Sequence, residues 1–157
     1  MNAMSPQLRP VQPSHYAIVA NWPESAEATR RWAGPGVPFP LLPERFAQVL
    51  ELGSRPGWAL LDEQGTCVGF GQYWMTDART AHLGRIIVSP LARGRGLGRL
   101  LMQALSAQAM REAGVQRLTL RVYRDNTAAV ILYRDLGFQQ VDAFSTPELL
   151  FMQRTSA

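Results

Sequence analysis

The sequence predicts a mixed α/β fold in which one twisted sheet of about six or seven strands is flanked by helices. Three observations carry that expectation. The chain has 157 residues, the usual size of a single domain. Hydrophobic residues make up 46% and charged residues 18%, which suits a packed core. Finally, the apolar spacing changes from helical to strand-like at Trp58 and then alternates strand, helix, strand towards the C-terminus.

Taken in order, Leu8–Val11 reads as a first strand. Pro13-Ser14 offers a helix start, with Ser14 as N-cap for His15–Asn21. Pro23–Ala33 reads as a second helix, stopped by Gly34-Pro35-Gly36, and Gly34–Pro43 as a stiff loop. Glu44–Leu52 returns to helical spacing before Gly53. Trp58–Leu61 and Cys67–Trp74 read as a hairpin around Asp62-Glu63-Gln64-Gly65. His82–Ser89 is a third strand of this half, closed by Pro90. A long helix is expected from about Gly96 to Ala113, its apolar face carrying Leu97, Leu100, Leu101, Ala104, Leu105 and Ala109. Strand Leu118–Tyr123, helix Thr127–Leu136 and strands Gln139–Phe144 and Leu149–Gln153 complete the chain. The strand–helix–strand order favours parallel neighbours in this half.

Composition excludes several classes of function. No apolar run approaches the roughly 18 residues that span a bilayer, and Met1–Pro10 lacks the basic head and apolar stretch of a signal peptide. Cys67 is the single cysteine, so no internal disulfide can form, and no Cys/His cluster suggests a metal. Cytoplasm is the expected compartment. The charge is uneven. All 16 basic residues are arginine, and ten of them fall between Arg79 and Arg134 against two acids, Glu112 and Asp125. Each flank is mildly acidic. A basic middle implies an anionic partner, either nucleic acid or a phosphorylated cofactor.

The strongest local signal is Arg93-Gly94-Arg95-Gly96-Leu97-Gly98, between a strand and a helix. A helix N-terminus presents free backbone N–H groups and the positive end of the dipole. Glycines let a phosphate approach those donors, and Arg93, Arg95 and Arg99 add charge. The missing Lys-Ser/Thr rules out a P-loop, and the late position disfavours a dinucleotide fold.

Arg93-x-x-Gly96-x-Gly98 resembles the Arg/Gln-x-x-Gly-x-Gly/Ala motif of the GNAT superfamily of N-acetyltransferases. Gly84–Pro90 before it and Leu100-Leu101 after it are similar to the usual flanks. So is a second block, Asn126-x-x-Ala129-x-x-x-Tyr133-x-x-x-Gly137-Phe138. The similarity is dense from about Leu83 to Phe138 and only topological before that.

The resemblance implies two neighbouring parallel strands that splay to admit the pantetheine of acetyl-CoA as cosubstrate, with no metal. It divides a single domain into an acceptor side with N-terminal helices (1–78), an acetyl-CoA core (79–138) and C-terminal strands (139–157). Ile86, Ile87 and Val88 would bond the pantetheine through the backbone, and the amides of Gly94, Arg95, Gly96, Leu97, Gly98 and Arg99 would hold the pyrophosphate beside Arg93. Asn126 would contact the pantetheine, though its type also suits a helix N-cap. Tyr133 would approach the thioester sulfur as proton donor, or simply pack against Phe138.

Attack on the thioester needs a neutral amine and therefore a base. His82, eleven residues before Arg93, stands where some family members place a glutamate. An unperturbed imidazole titrates near about 6.5 and is a competent base; a solvent-facing strand-end histidine is the plain alternative. Glu24, Glu27 and Glu44 are further candidates. Trp22, Trp32, Phe39, Phe46, Tyr73 and Trp74 either line an acceptor pocket or form the core under the helices. The acidic balance of the first half is compatible with a cationic amine. Cys67 reads as core.

The expected function is acetyl transfer from acetyl-CoA to a primary amine of a small molecule or peptide, by direct attack in a ternary complex. A homodimer is compatible with it; no nucleic-acid or membrane partner is expected. Two other readings remain at this level. One is a CoA-binding sensor without catalysis, suggested by the lack of an acid on the His82 strand. The other is an arginine-rich nucleic-acid binder.

Overall fold

The computed structural model describes residues 5–155; Met1–Met4, the start of the stretch read for a leader, lies outside the described residues. Seven strands form one sheet in the order β1-β2-β3-β4-β5-β7-β6. They are β1 (Gln7–Pro10), β2 (Gly57–Leu61), β3 (Cys67–Asp77), β4 (Thr80–Val88), β5 (Arg117–Tyr123), β6 (Gln139–Gln140) and β7 (Leu149–Thr155). All neighbours pair antiparallel except β4 and β5, which are parallel. A crossover helix, α4 (Leu97–Met110), makes that pairing reachable.

Two layers of helix cover the sheet. Helices α1 (Pro13–Ala20), α2 (Ala26–Ala33) and α3 (Phe46–Val49) enclose a cluster containing Val19, Phe46, Leu50, Phe70 and Ile87. On the opposite face α4 and α5 (Thr127–Asp135) enclose Leu83, Met102, Leu105, Leu118, Leu120 and Tyr133. Burying these faces is the main stabilising contribution, at about 25 cal/mol per Å² of apolar surface.

Several boundaries differ from the sequence reading for local reasons. Helix α1 is capped at Gln12, not Ser14: the Gln12 N–H donates to His15 Nδ1 (3.0 Å) and Pro13 takes the first helical position, which needs no donor. Helix α2 starts after Ser25, whose Oγ accepts from the Ala28 N–H (3.0 Å), so Pro23 lies outside it. The expected helix Glu44–Leu52 breaks into a 3-10 turn, Pro43–Arg45, and the four-residue α3. Glu51 there has φ 59°, a left-handed turn that no α-helix continues through. Helix α4 stops at Met110, before Ala113. The expected strand Gln139–Phe144 shrinks to two residues, because Asp142–Phe144 coils into a 3-10 turn.

Candidate functional site

Strands β4 and β5 pair over three rungs only, Thr80↔Arg117, Ala81↔Leu118 and His82↔Thr119. Strand β5 stays paired with β7 along its whole length, from Arg117↔Thr155 to Tyr123↔Leu149. From Leu83 onward β4 therefore keeps β3 as its partner and turns a free edge to the gap. A β-bulge follows in β4 just beyond the last rung. Phe70 faces Ile87 and Gln72 faces Gly84, so Gly71 alone opposes both Arg85 and Ile86. Arg85 takes up the extra residue at φ 53°, a conformation that costs a non-glycine residue roughly 1 kcal/mol. The bulge also turns its guanidinium towards the N-terminal helices, where Nη1 donates to the Leu50 carbonyl at 2.9 Å.

The gap opens into a cleft of about 1170 Å³ that runs from α2 across β4 and β5 to the starts of α4 and α5. Ile86, Ile87 and Val88 line it on the β4 side. At one end lies the glycine turn. Gly94 and Gly96 have φ +80° and +74°, and a Cβ built on either meets nothing within 4 Å. These glycines serve the backbone path and leave open space in front of it. Gly96 is the N-cap of α4, so the N–H groups of Leu97, Gly98 and Arg99 begin the helix without intrahelical acceptors. Arg93, Gly94, Gly96, Leu97 and Gly98 line the cleft; Arg95 and Arg99 do not. Arg99 instead pairs with Asp135 at 3.1 Å.

Asn126 and Tyr133 come to the same cleft from α5. Asn126 is the N-cap, its Oδ1 accepting from the Ala129 N–H at 3.4 Å. Tyr133 is buried against Phe138, with ring centroids 6.3 Å apart. Burial pushes its phenol up to about 12, so the hydroxyl keeps its proton at any physiological pH. Both packing and cleft lining hold for this side chain.

His82 does not face solvent; it is 8% exposed. It stands on the last β4–β5 rung, in a cross-strand row with Trp74, Thr119 and Gln153. Its Nδ1 is 2.7 Å from Thr119 Oγ1, and its ring lies between Trp74 and Phe151 at 5.3 and 6.2 Å. Burial, then the charges of Arg121 and Arg55, pull the imidazole down to about 4. It is neutral at pH 7, well away from the unperturbed value expected of a strand-end histidine.

The first-half aromatics divide. Phe46 and Tyr73 are core, Tyr73 donating its hydroxyl proton to Glu112 Oε2 at 2.6 Å, while Phe39 is exposed. Trp22, Trp32 and Trp74 line the cleft. Gly84 makes room for Trp74, since a Cβ there would sit 2.6 Å from its Cη2. Glu24 and Glu27 reach the cleft wall, Glu27 already paired with Arg30 at 2.8 Å, and Glu44 does not line it. Cys67 is buried in β3 with its thiol pushed up to about 11 by burial, an inert core residue.

Sequence reasoning missed Arg55, Thr119 and Arg121 beside His82, and Arg85 beside Trp74. Alternation along Leu118–Tyr123 would have put Thr119 and Arg121 on one face. The cross-strand register and the bulge that bring Arg55 and Arg85 there leave no signal in the sequence.

The sheet is of mixed α/β type, and its one parallel pair opens towards a glycine-rich helix start. The family model for the acetyltransferase (GNAT) family matches residues 21–138, and the chain belongs to that family. A mycothiol acetyltransferase of Renibacterium salmoninarum is 36% identical over 88 residues, covering 53% of this chain and 26% of that protein. An uncharacterized N-acetyltransferase of Bacillus subtilis is 46% identical over 86 residues, 52% of this chain and 53% of the other. The match thus spans about a quarter to a half of these curated relatives. Among solved structures, the spermidine N-acetyltransferase of Vibrio cholerae with CoA and spermine superposes with a TM-score of 0.79 at 18% identity, over 96% of this chain and 95% of that one. An aminoglycoside acetyltransferase with coenzyme A and kanamycin gives 0.75 at 20% identity, over 96% and 95%. These two likenesses concern the fold.

Proposed function

We propose that this protein moves an acetyl group from acetyl-CoA to a primary amine of a small molecule or peptide, by direct attack in a ternary complex. One observation carries the reading: the β4–β5 gap, the glycine turn and Tyr133 share a single cleft. The free β4 edge at Ile86–Val88 would pair with the amides of the pantetheine. The amides of Gly94 to Gly98 and the Arg93 side chain would take the pyrophosphate. Arg95 and Arg99 would contribute through the backbone and through charge at the rim.

In this reading the amine lone pair bonds to the thioester carbon, the C–S bond breaks, and the sulfur leaves as a thiolate. Tyr133 gives the thiolate its phenolic proton or a hydrogen bond, a role suited to a group that stays protonated up to about 12. The attacking nitrogen becomes acidic once bonded to the carbonyl carbon. His82, neutral and hydrogen-bonded to Thr119, would take that proton and hand it to water, since an imidazole held near about 4 retains a proton poorly. Asn126 would hold the pantetheine through its side-chain amide N–H while its oxygen caps α5. We place the protein in the cytoplasm, a reading supported by its acetyl-CoA donor and its single, unpaired cysteine.

Initial-rate kinetics test the direct attack. A ternary complex gives double-reciprocal lines that intersect as acetyl-CoA and amine are varied. Parallel lines, the sign of a ping-pong acyl-enzyme, would contradict it.

A further inference from the structure

Six arginines and two glutamates line the cleft, and three of the arginines gather at its closed end, around Trp74 and His82. The Arg55 guanidinium carbon lies over the Trp74 ring, 4.1 Å from its centre. Arg85 is 5.8 Å from the same ring. Both share one carboxylate, Glu51, at 3.6 and 3.5 Å. Arg121, two residues beyond Thr119 on the same face of β5, has neither a carboxylate nor a hydrogen-bond partner among the described residues. Its guanidinium carbon lies 5.2 Å from the centre of the Phe151 ring. Arg121 and Arg55 also lie close enough to His82 to disfavour its protonation.

These charges do not serve the CoA phosphates. The glycine turn begins beyond the far end of β4, and the six steps from His82 to Val88 alone span roughly 20 Å at strand rise. Of the two glutamates that line the cleft, Glu24 and Glu27, the second is engaged by Arg30; Glu51, at this end, is shared by Arg55 and Arg85. A polycationic amine entering here would meet like charge. This runs against the cationic acceptor that the acidic first half suggests, because the bulge and the register bring Arg85 and Arg121 from the basic middle onto the acceptor side.

The geometry points to an acceptor that is a small primary amine carrying an anionic group, a carboxylate or a phosphate, held by Arg121 and Arg55 beside Trp74. A guanidinium fork binds either oxyanion through paired N–H donors. Arg55 is oriented for this by the Trp74 face, and Arg121 has its donors free. Fixing the anion there sets the amine on the His82 side of the cleft. The inference rests on the acetyl-transfer reading above and specifies its substrate class.

Matched amines test it: L-phenylalanine against L-phenylalaninamide, O-phosphoethanolamine against ethanolamine, and spermidine as the polycation. Wild-type protein is expected to show higher kcat/KM for at least one anionic member than for its neutral partner, and least for spermidine. Which pair shows the preference tells carboxylate from phosphate. Arg121→Gln should cut that preference about tenfold to a hundredfold, mainly through KM, and Arg121→Glu should invert it. Comparing ratios between wild type and variants cancels the amines' own basicity. Arg121 is exposed, so both variants should keep the wild-type melting curve. Titrating CoA-saturated protein with N-acetyl-L-phenylalanine and with its amide reads the carboxylate preference without turnover. Faster acetylation of the neutral amines or spermidine, or an Arg121→Glu protein with unchanged preference, overturns the anionic acceptor and leaves acetyl transfer standing. Acetyl-CoA binding with no turnover of any amine overturns both.

Discussion

His82 Nδ1 lies 2.7 Å from Thr119 Oγ1, across the last rung at which β4 and β5 are still paired. Beyond that rung the two strands separate, so this side-chain bond closes the floor of the cleft. It couples the position of the imidazole to the geometry of the opening.

Because the folded pKa of His82 lies near 4 and the unfolded value near about 6.5, the unfolded chain binds a proton first as pH falls. Stability should therefore be fully present above about pH 6.5 and decline between 6.5 and 4, by on the order of 2–3 kcal/mol. His82→Gln should remove this slope while retaining a partner for Thr119. Urea melts at pH 7.0 and 5.0 check it; an equal pH dependence in both proteins contradicts the assignment. For the same reason the acid limb of the rate–pH profile should follow the pKa of the amine and shift when the amine is changed. A fixed limb near 6.5 that disappears in His82→Ala would restore the unperturbed histidine base.

Tyr133→Phe keeps the ring against Phe138 and removes the phenolic proton. Turnover should fall by about 10²–10⁴-fold with little change in acetyl-CoA affinity. Steady-state kinetics alongside calorimetric titration separate the two quantities. Wild-type kcat in the mutant would reduce Tyr133 to packing.

Gly96→Asp places a carboxylate at the start of α4, where the cleft is open and the helix dipole favours an anion from outside. CoA affinity should drop at least about a hundredfold, while the fold survives, since no neighbouring atom lies within 4 Å of the new Cβ. The positive φ adds a cost of roughly 1 kcal/mol. Calorimetry on the folded mutant decides; unchanged CoA affinity would take the phosphates away from this turn.

The part of the cleft proposed to hold the cofactor could be read from the sequence because its residues lie close together along the chain. Gly94, Gly96 and Gly98 sit within one turn of a helix start, and Asn126 and Tyr133 lie two turns apart on one helix. The roles proposed for them come from the resemblance of these two motifs to those of the family, which their close spacing makes visible. The acceptor half was not legible, because it is assembled by register. Arg55 follows α3, Trp74 is on β3, Arg85 sits in a bulge and Arg121 lies on β5, and no sequence interval predicts that these meet. His82 could be named from its strand, but its burial comes from Trp74, Thr119 and Phe151, each on a different strand. Helix ends show the same division. Gly96 marked the start of α4 closely, whereas Gln12 displaced Ser14 as the cap of α1 through a bond to His15 that only the folded turn reveals.

Amine-dependent release of the CoA thiol tests the central claim most directly. Purified protein, acetyl-CoA and a panel of primary amines are incubated together, the free thiol is followed continuously, and the amine is weighed by mass spectrometry. Acetyl transfer predicts thiol release that depends on the amine and is matched one for one by an amine bearing a single acetyl group. Tight acetyl-CoA binding with thiol release no faster than the protein-free control, for every amine in the panel, would contradict it and leave a CoA-binding module in place of an enzyme.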